Sequence, residues 1–194
     1  MNSHYHISDE QISQEQAWVE AAQKDPEQFD KLYDRYFEGI FNFVYRRTDD
    51  EVVAADITSQ TFLAALQSLK KYSFRGLPFS AWLYKIAANQ VNKYYRISKK
   101  NVVFSLEESL IGKLIAETEE DTNEEKVALL VEYLKQLSTE DVMVLELRFF
   151  EEKSFREIAY ILEITESGAK MRTYRALNKL KKTFDAKLKR YEKA

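Results

Sequence analysis

The chain holds four glycines and two prolines among its 194 residues, and that shortage constrains its fold more than any motif does. Sheets reverse direction often, and their tight turns draw on Gly and Pro for dihedrals that other residues resist. Leu, Ala, Glu and Lys, which favour helix, are common instead. A hydrophobic fraction of 45% supplies a packed core and argues against wholesale disorder. The expected fold is therefore all-α.

Apolar spacing turns that expectation into elements. From Glu27 onward, Phe29, Leu32, Tyr33, Tyr36, Phe37, Ile40, Phe41 and Val44 follow the i, i+3, i+4 pattern of one buried stripe. A second helix is expected from about Asp50 to Lys70, with Phe62, Leu63 and Leu66 apolar. Ser73-Phe74-Arg75-Gly76-Leu77-Pro78 breaks the pattern. A third helix follows, with Phe79, Trp82, Leu83, Ile86, Ala87, Val91 and Tyr94 on one side. With a shorter helix around Ala17, these make a three- or four-helix bundle over residues 26–100, behind an acidic N-terminal tail of residues 1–25. Residues 101–123 read as an acidic linker, with a short helix in it suggested by the capping-box pattern from Ser105 to Glu108.

The second domain, residues 124–194, opens with Leu129, Leu130, Tyr133, Leu134 and Leu137 on one helix. Ser138 starts another, carrying Val142, Leu145 and Phe149. Ser154-Phe155-Arg156-Glu157 is a capping box ahead of Ile158, Ala159 and Leu162. The chain turns at Glu163, and Thr165 is placed to cap a last, long, basic helix. A short helix, a tight turn and a longer basic helix describe a helix-turn-helix.

Charge locates function. The net charge of -3 hides a partition: every charged residue between positions 70 and 100 is Lys or Arg, and the last 28 residues carry ten Lys or Arg against Asp185 and Glu192. Two separate basic stretches are the footprint of polyanion binding, with a merely solvated face as the alternative. On the last helix, Ala169, Thr173, Ala176, Leu177, Leu180 and Phe184 are expected inside. Ser167, Gly168, Lys170, Met171, Arg172 and Arg175 then meet base edges in a major groove, and Lys179 holds phosphate. On the third helix, Lys85, Asn89, Asn92, Lys93 and Arg96 share one face, beside a loop with Tyr72, Phe74 and Arg75. Flat side chains beside a basic helix suit DNA whose strands have parted, although Phe79 and Trp82 lie on the apolar stripe and read as core.

Other classes fall away. No window has the ~20 apolar residues of a membrane span, and the acidic start is neither a signal nor a transit peptide. A cytoplasmic protein without membrane insertion is expected. His4 and His6 lie in the tail and cysteine is absent, so no metal site is expected. No Walker loop, GxSxG elbow or glycine fingerprint is present, so neither catalysis nor a cofactor is expected.

At these residues the chain resembles the extracytoplasmic-function sigma factors, from about Phe29 to Lys182. Val53-Ala54-Ala55-Asp56-Ile57-Thr58-Ser59-Gln60-Thr61-Phe62-Leu63 looks like the family's polymerase-binding helix, which makes Asp56, Gln60, Phe62 and Leu63 candidates for that contact. Phe79-Ser80-Ala81-Trp82-Leu83-Tyr84-Lys85-Ile86-Ala87-Ala88-Asn89 resembles the helix that captures the minus-ten element, and the stretch from Ser154 to Leu180 the reader of the minus-thirty-five element. The resemblance implies core RNA polymerase and promoter DNA as partners, and admits an anti-sigma factor. Two departures concern the last helix: the family often has Gly where Glu163 stands, and Gly-Thr-Val in place of Ser167-Gly168-Ala169. An autonomous helix-turn-helix regulator and an adaptor without a DNA role are the competing readings.

Overall fold

The computed structural model of the protein describes residues 9–98 and 137–191, with side chains through residue 180, and these form two compact units. The regular structure among the described residues is helical throughout, with no strand, in line with the shortage of turn formers. The linker, the helix expected around Leu130 and the side chains of Lys182 and Phe184 lie outside the described residues.

The first unit contains α1 (Asp9–Lys24), α2 (Asp30–Thr48), α3 (Glu51–Ser68) and α4 (Phe79–Ser98). Helix α1 buries Val19 and Ala22, so from Asp9 onward the stretch expected as a tail is a packed helix, the one anticipated around Ala17. Asp25 and Pro26 open a single 3-10 turn, Pro26–Phe29, where the missing proline N–H costs nothing and the Asp25 carboxylate accepts from the Glu27 N–H. Two adjacent aspartates then make the corner between α2 and α3. Asp49 takes the left-handed conformation, φ 49°, and donates its N–H to Tyr45 O at 2.8 Å. Asp50 caps the next helix, its Oδ1 accepting from Val52 and Val53 N–H at 3.0 and 3.1 Å.

Leu32, Ile40, Phe43 and Val44 of α2, Ala54, Ile57, Phe62 and Ala65 of α3, and Phe79, Leu83, Ala87 and Val91 of α4 form the core. The stripe on α2 is rotated from the expected one: Phe43 is fully buried, while Tyr33 is 38% exposed. Tyr33, Phe37, Phe41 and Tyr45, four residues apart, instead stack along the flank at centroid distances of 5.1, 6.0 and 6.1 Å.

The second unit contains α5 (Thr139–Leu145), a π-turn (Glu146–Phe150), α6 (Phe155–Leu162) and α7 (Glu166–Tyr191). Each start is capped as its sequence suggests. Ser138 Oγ accepts from Asp141 N–H at 3.2 Å. Ser154 and Glu157 close a reciprocal box, with Ser154 N–H donating to Glu157 Oε2 at 2.9 Å and Glu157 N–H to Ser154 Oγ at 3.2 Å. Thr165 Oγ1 accepts from Gly168 N–H at 3.0 Å. Glu163, in the turn, holds φ 56°, the left-handed geometry that a glycine takes without strain.

Candidate DNA-facing and polymerase-facing surfaces

Helix α4 divides cleanly. Phe79, Leu83, Ala87 and Val91 turn inward, so Asn89, Asn92, Lys93 and Arg96 stand exposed along the opposite face and Lys85 is half-buried beside them. The chain carries no acid from residue 70 to residue 100, so no carboxylate of α4 itself opposes the charge of that face. Ile97, 68% exposed at the end of the same face, was not singled out by spacing.

The loop ahead of α4 is organised by rings. Tyr72 packs edge-on to Phe79 at 5.3 Å and tilts against Trp82 at 4.8 Å. Burial pushes its hydroxyl up to about 12. Tyr72 is thus half-buried and already stacked within the protein, whereas Phe74 is 39% exposed and Arg75 is exposed. Gly76, φ 69°, supplies the left-handed residue that reverses the chain before Pro78. Trp82 is half-buried in the same cluster, less enclosed than the core position expected of it.

On α3, Asp56 and Gln60 are exposed and joined, Gln60 Nε2 donating to Asp56 Oδ2 at 2.8 Å. Leu63 is 54% exposed and Val52 80%. Phe62 does not belong to this surface. It is 4% exposed and packs against Phe29, Tyr33 and Phe37, because one residue along a helix turns a side chain by ~100° away from Leu63.

On α7 the buried line is Ala169, Thr173, Ala176 and Leu180, with Thr173 Oγ1 tied back to Ala169 O at 2.9 Å. The opposite face consists of Ser167, Lys170, Met171, Tyr174, Arg175 and Asn178, all exposed. Arg175 donates to Met171 Sδ at 3.3 Å, one turn back. Two expected contacts move off the centre of this face. Arg172 is half-buried on its flank. Lys179 is not a free phosphate ligand: its Nζ lies 2.5 Å from Asp141 Oδ2 on α5, and Asp141 is 8% exposed. The pair ties the start of the unit to its last helix.

Tyr174 and Asn178 were not among the expected contacts because neither carries the positive charge by which the DNA-facing residues of α7 are recognised in the sequence. Both stand exposed, on the side of the helix away from the buried Ala169, Thr173 and Ala176. Gly168 is explained by its own cap: a Cβ there would sit 2.9 Å from Thr165 Oγ1.

Among the described residues no His, Cys, Asp and Glu cluster could hold a metal, and no helix is long and apolar enough to cross a membrane.

Comparison with known proteins agrees with this division. Residues 32–100 match the family model of sigma-70 region 2, and residues 133–182 that of sigma-70 region 4. The ECF RNA polymerase sigma factor BldN of Streptomyces coelicolor is 30% identical over 84% of this chain, which spans 62% of BldN's length. The ECF RNA polymerase sigma factor SigL of Mycobacterium tuberculosis is 30% identical over 78% of this chain and 86% of its own. The solved structure of CnrH in complex with the cytosolic domain of CnrY shares the fold, with a TM-score of 0.63 and 22% identity over 89% of this chain and 97% of that one. The helical units, their order and these relatives together place the chain in the extracytoplasmic-function family of RNA polymerase sigma factors, which are transcription initiation factors and not enzymes.

Proposed function

We propose that the chain binds core RNA polymerase and directs it to promoters, working in the cytoplasm. The observation that carries this reading is the pair of acid-free exposed faces, one on α4 and one on α7, each backed by its own packed core. Asp56, Gln60 and Leu63 form the polymerase contact. Asn89, Asn92, Lys93 and Arg96, with Phe74 and Arg75 ahead of them, hold the separated strand at the minus-ten element. Met171, Tyr174, Arg175 and Asn178 read the duplex at the minus-thirty-five element, where amide and guanidinium groups pair with base edges. A second domain of 124–194, with residues 101–123 as a linker, belongs to the same reading, while the first domain takes in α1 and does not begin at residue 26. CnrH was solved with the cytosolic domain of CnrY, and an anti-sigma partner is proposed for this chain too.

The test is transcription by bacterial core polymerase, with and without the protein, on sheared genomic DNA from the source organism. Discrete transcripts that depend on the protein are expected. Their absence, with the protein alone shifting duplex DNA, would hand the role to an autonomous regulator.

A further inference from the structure

Three hydrogen bonds, each spanning more than 45 residues of sequence, run from α1 to the two ends of the loop before α4. Gln23 Nε2 donates to Leu69 O at 2.9 Å and to Tyr72 O at 3.0 Å, which holds the loop where it begins. Glu15 Oε2 accepts from the N–H of Phe79 at 2.9 Å, which holds the loop where it ends. Phe79 is the first residue of α4, so its N–H is among those a helix leaves without an internal partner. The cap comes from another helix, 64 residues earlier in the sequence.

Glu15 is 7% exposed, and its second oxygen accepts from the hydroxyl of Tyr36. Burial first, and then that carboxylate, hold the Tyr36 hydroxyl far above its ordinary range, so it stays a donor. A buried carboxylate needs such partners, and here both are supplied by the bundle itself. Between the two anchors, Ile12, Gln16 and Val19 of α1 line a small pocket closed by Tyr72, Phe74 and Phe79. The half-exposed ring of Phe74 therefore lies against α1 on one side.

We infer that α1 is a two-point clamp on residues 72–79, and that Glu15 and Gln23 are positioning residues for strand capture. Neither touches DNA. They act by holding Phe74 and Arg75 in the geometry in which a separated strand is taken up, so the loop does not have to be ordered at that moment. The inference rests on the proposed role of this loop.

The experiment uses holoenzyme assembled from the full chain and core polymerase. The probe is a forked template, duplex upstream and single-stranded downstream, cut from a promoter mapped by the transcription assay. Glu15→Ala and Gln23→Ala should each weaken binding to the fork on the order of tenfold, while affinity for core polymerase is kept. Glu15→Gln should restore binding, because its amide oxygen still accepts from the Phe79 N–H. Phe74→Ala, which removes a direct contact, should also lose fork binding. Full fork affinity in both clamp variants alongside a loss in Phe74→Ala would overturn the clamp. A parallel loss of core and fork affinity would also overturn it, since that is the mark of a damaged bundle. Full affinity in Phe74→Ala would instead remove the strand-capture role of the loop, and the clamp with it.

Discussion

Replacing Lys179 with methionine removes its charge and keeps most of its apolar stem. In the native unit, Nζ meets Asp141 Oδ2 at 2.5 Å, with the aspartate side chain 11% exposed and the lysine 60% exposed. A hydrogen bond to a charged group contributes roughly 1.5–3 kcal/mol when shielded, and an exposed ion pair less than about 1 kcal/mol. One partner here is shielded and the other is not, so about 1–2 kcal/mol is expected. Most of that loss reflects the carboxylate left without its cation. Amide hydrogen exchange on the full chain reads it locally: amides of α5 and α7 should exchange roughly 5–30-fold faster, and those of α2 to α4 should be unchanged. Asp141→Asn in the Lys179→Met background should recover much of that loss, because it removes the carboxylate left without its cation. The salt dependence of duplex binding should keep its slope. A slope reduced by about 0.9 with unchanged exchange would make Lys179 a phosphate ligand and refute the structural role.

Other substitutions separate the core from the surfaces. Phe62→Ala should cost about 3–5 kcal/mol in denaturant unfolding. Leu63→Ala should stay within about 0.5 kcal/mol yet weaken binding to core polymerase, as measured by competition. Gly168→Ala should destabilise α7 by about 0.5–1 kcal/mol although alanine favours helix, because its Cβ displaces the Thr165 cap. In a Thr165→Ala background the same change should stabilise, and an unchanged sign in amide exchange would disprove the clash. Asp49→Gly should raise stability by about 0.5 kcal/mol in thermal unfolding, by relieving a left-handed residue at the α2–α3 corner.

The helices and their caps were readable from the sequence because the signals are local. Ser138, Ser154 with Glu157, and Thr165 cap within three residues of themselves, and their hydrogen bonds fall where those spacings place them. The exposed face of α4 was equally legible, since its acid-free charges and its apolar stripe lie on opposite sides of one helix. What escaped depends on contacts distant in sequence. Nothing near Lys179 announces Asp141, and nothing near Phe79 announces Glu15, 64 residues earlier. Phe62 was misplaced for a related reason: a motif names neighbouring residues together, while the helix sends Phe62 inward and Leu63 outward. On α7, Ala169, Thr173, Ala176 and Leu180 are buried as their spacing suggests, and Leu177 is only half-buried at the edge of that line.

The central claim is a division of labour, in which the second unit reads duplex DNA and the first captures the separated strand. It is tested by holoenzyme binding to two versions of one mapped promoter, a full duplex and a template already opened at the minus-ten element. Arg175→Ala should lose affinity mainly on the duplex and recover much of it on the opened template. Lys93→Ala combined with Asn92→Ala should lose on both. Equal losses from the two variants on each template would contradict the account.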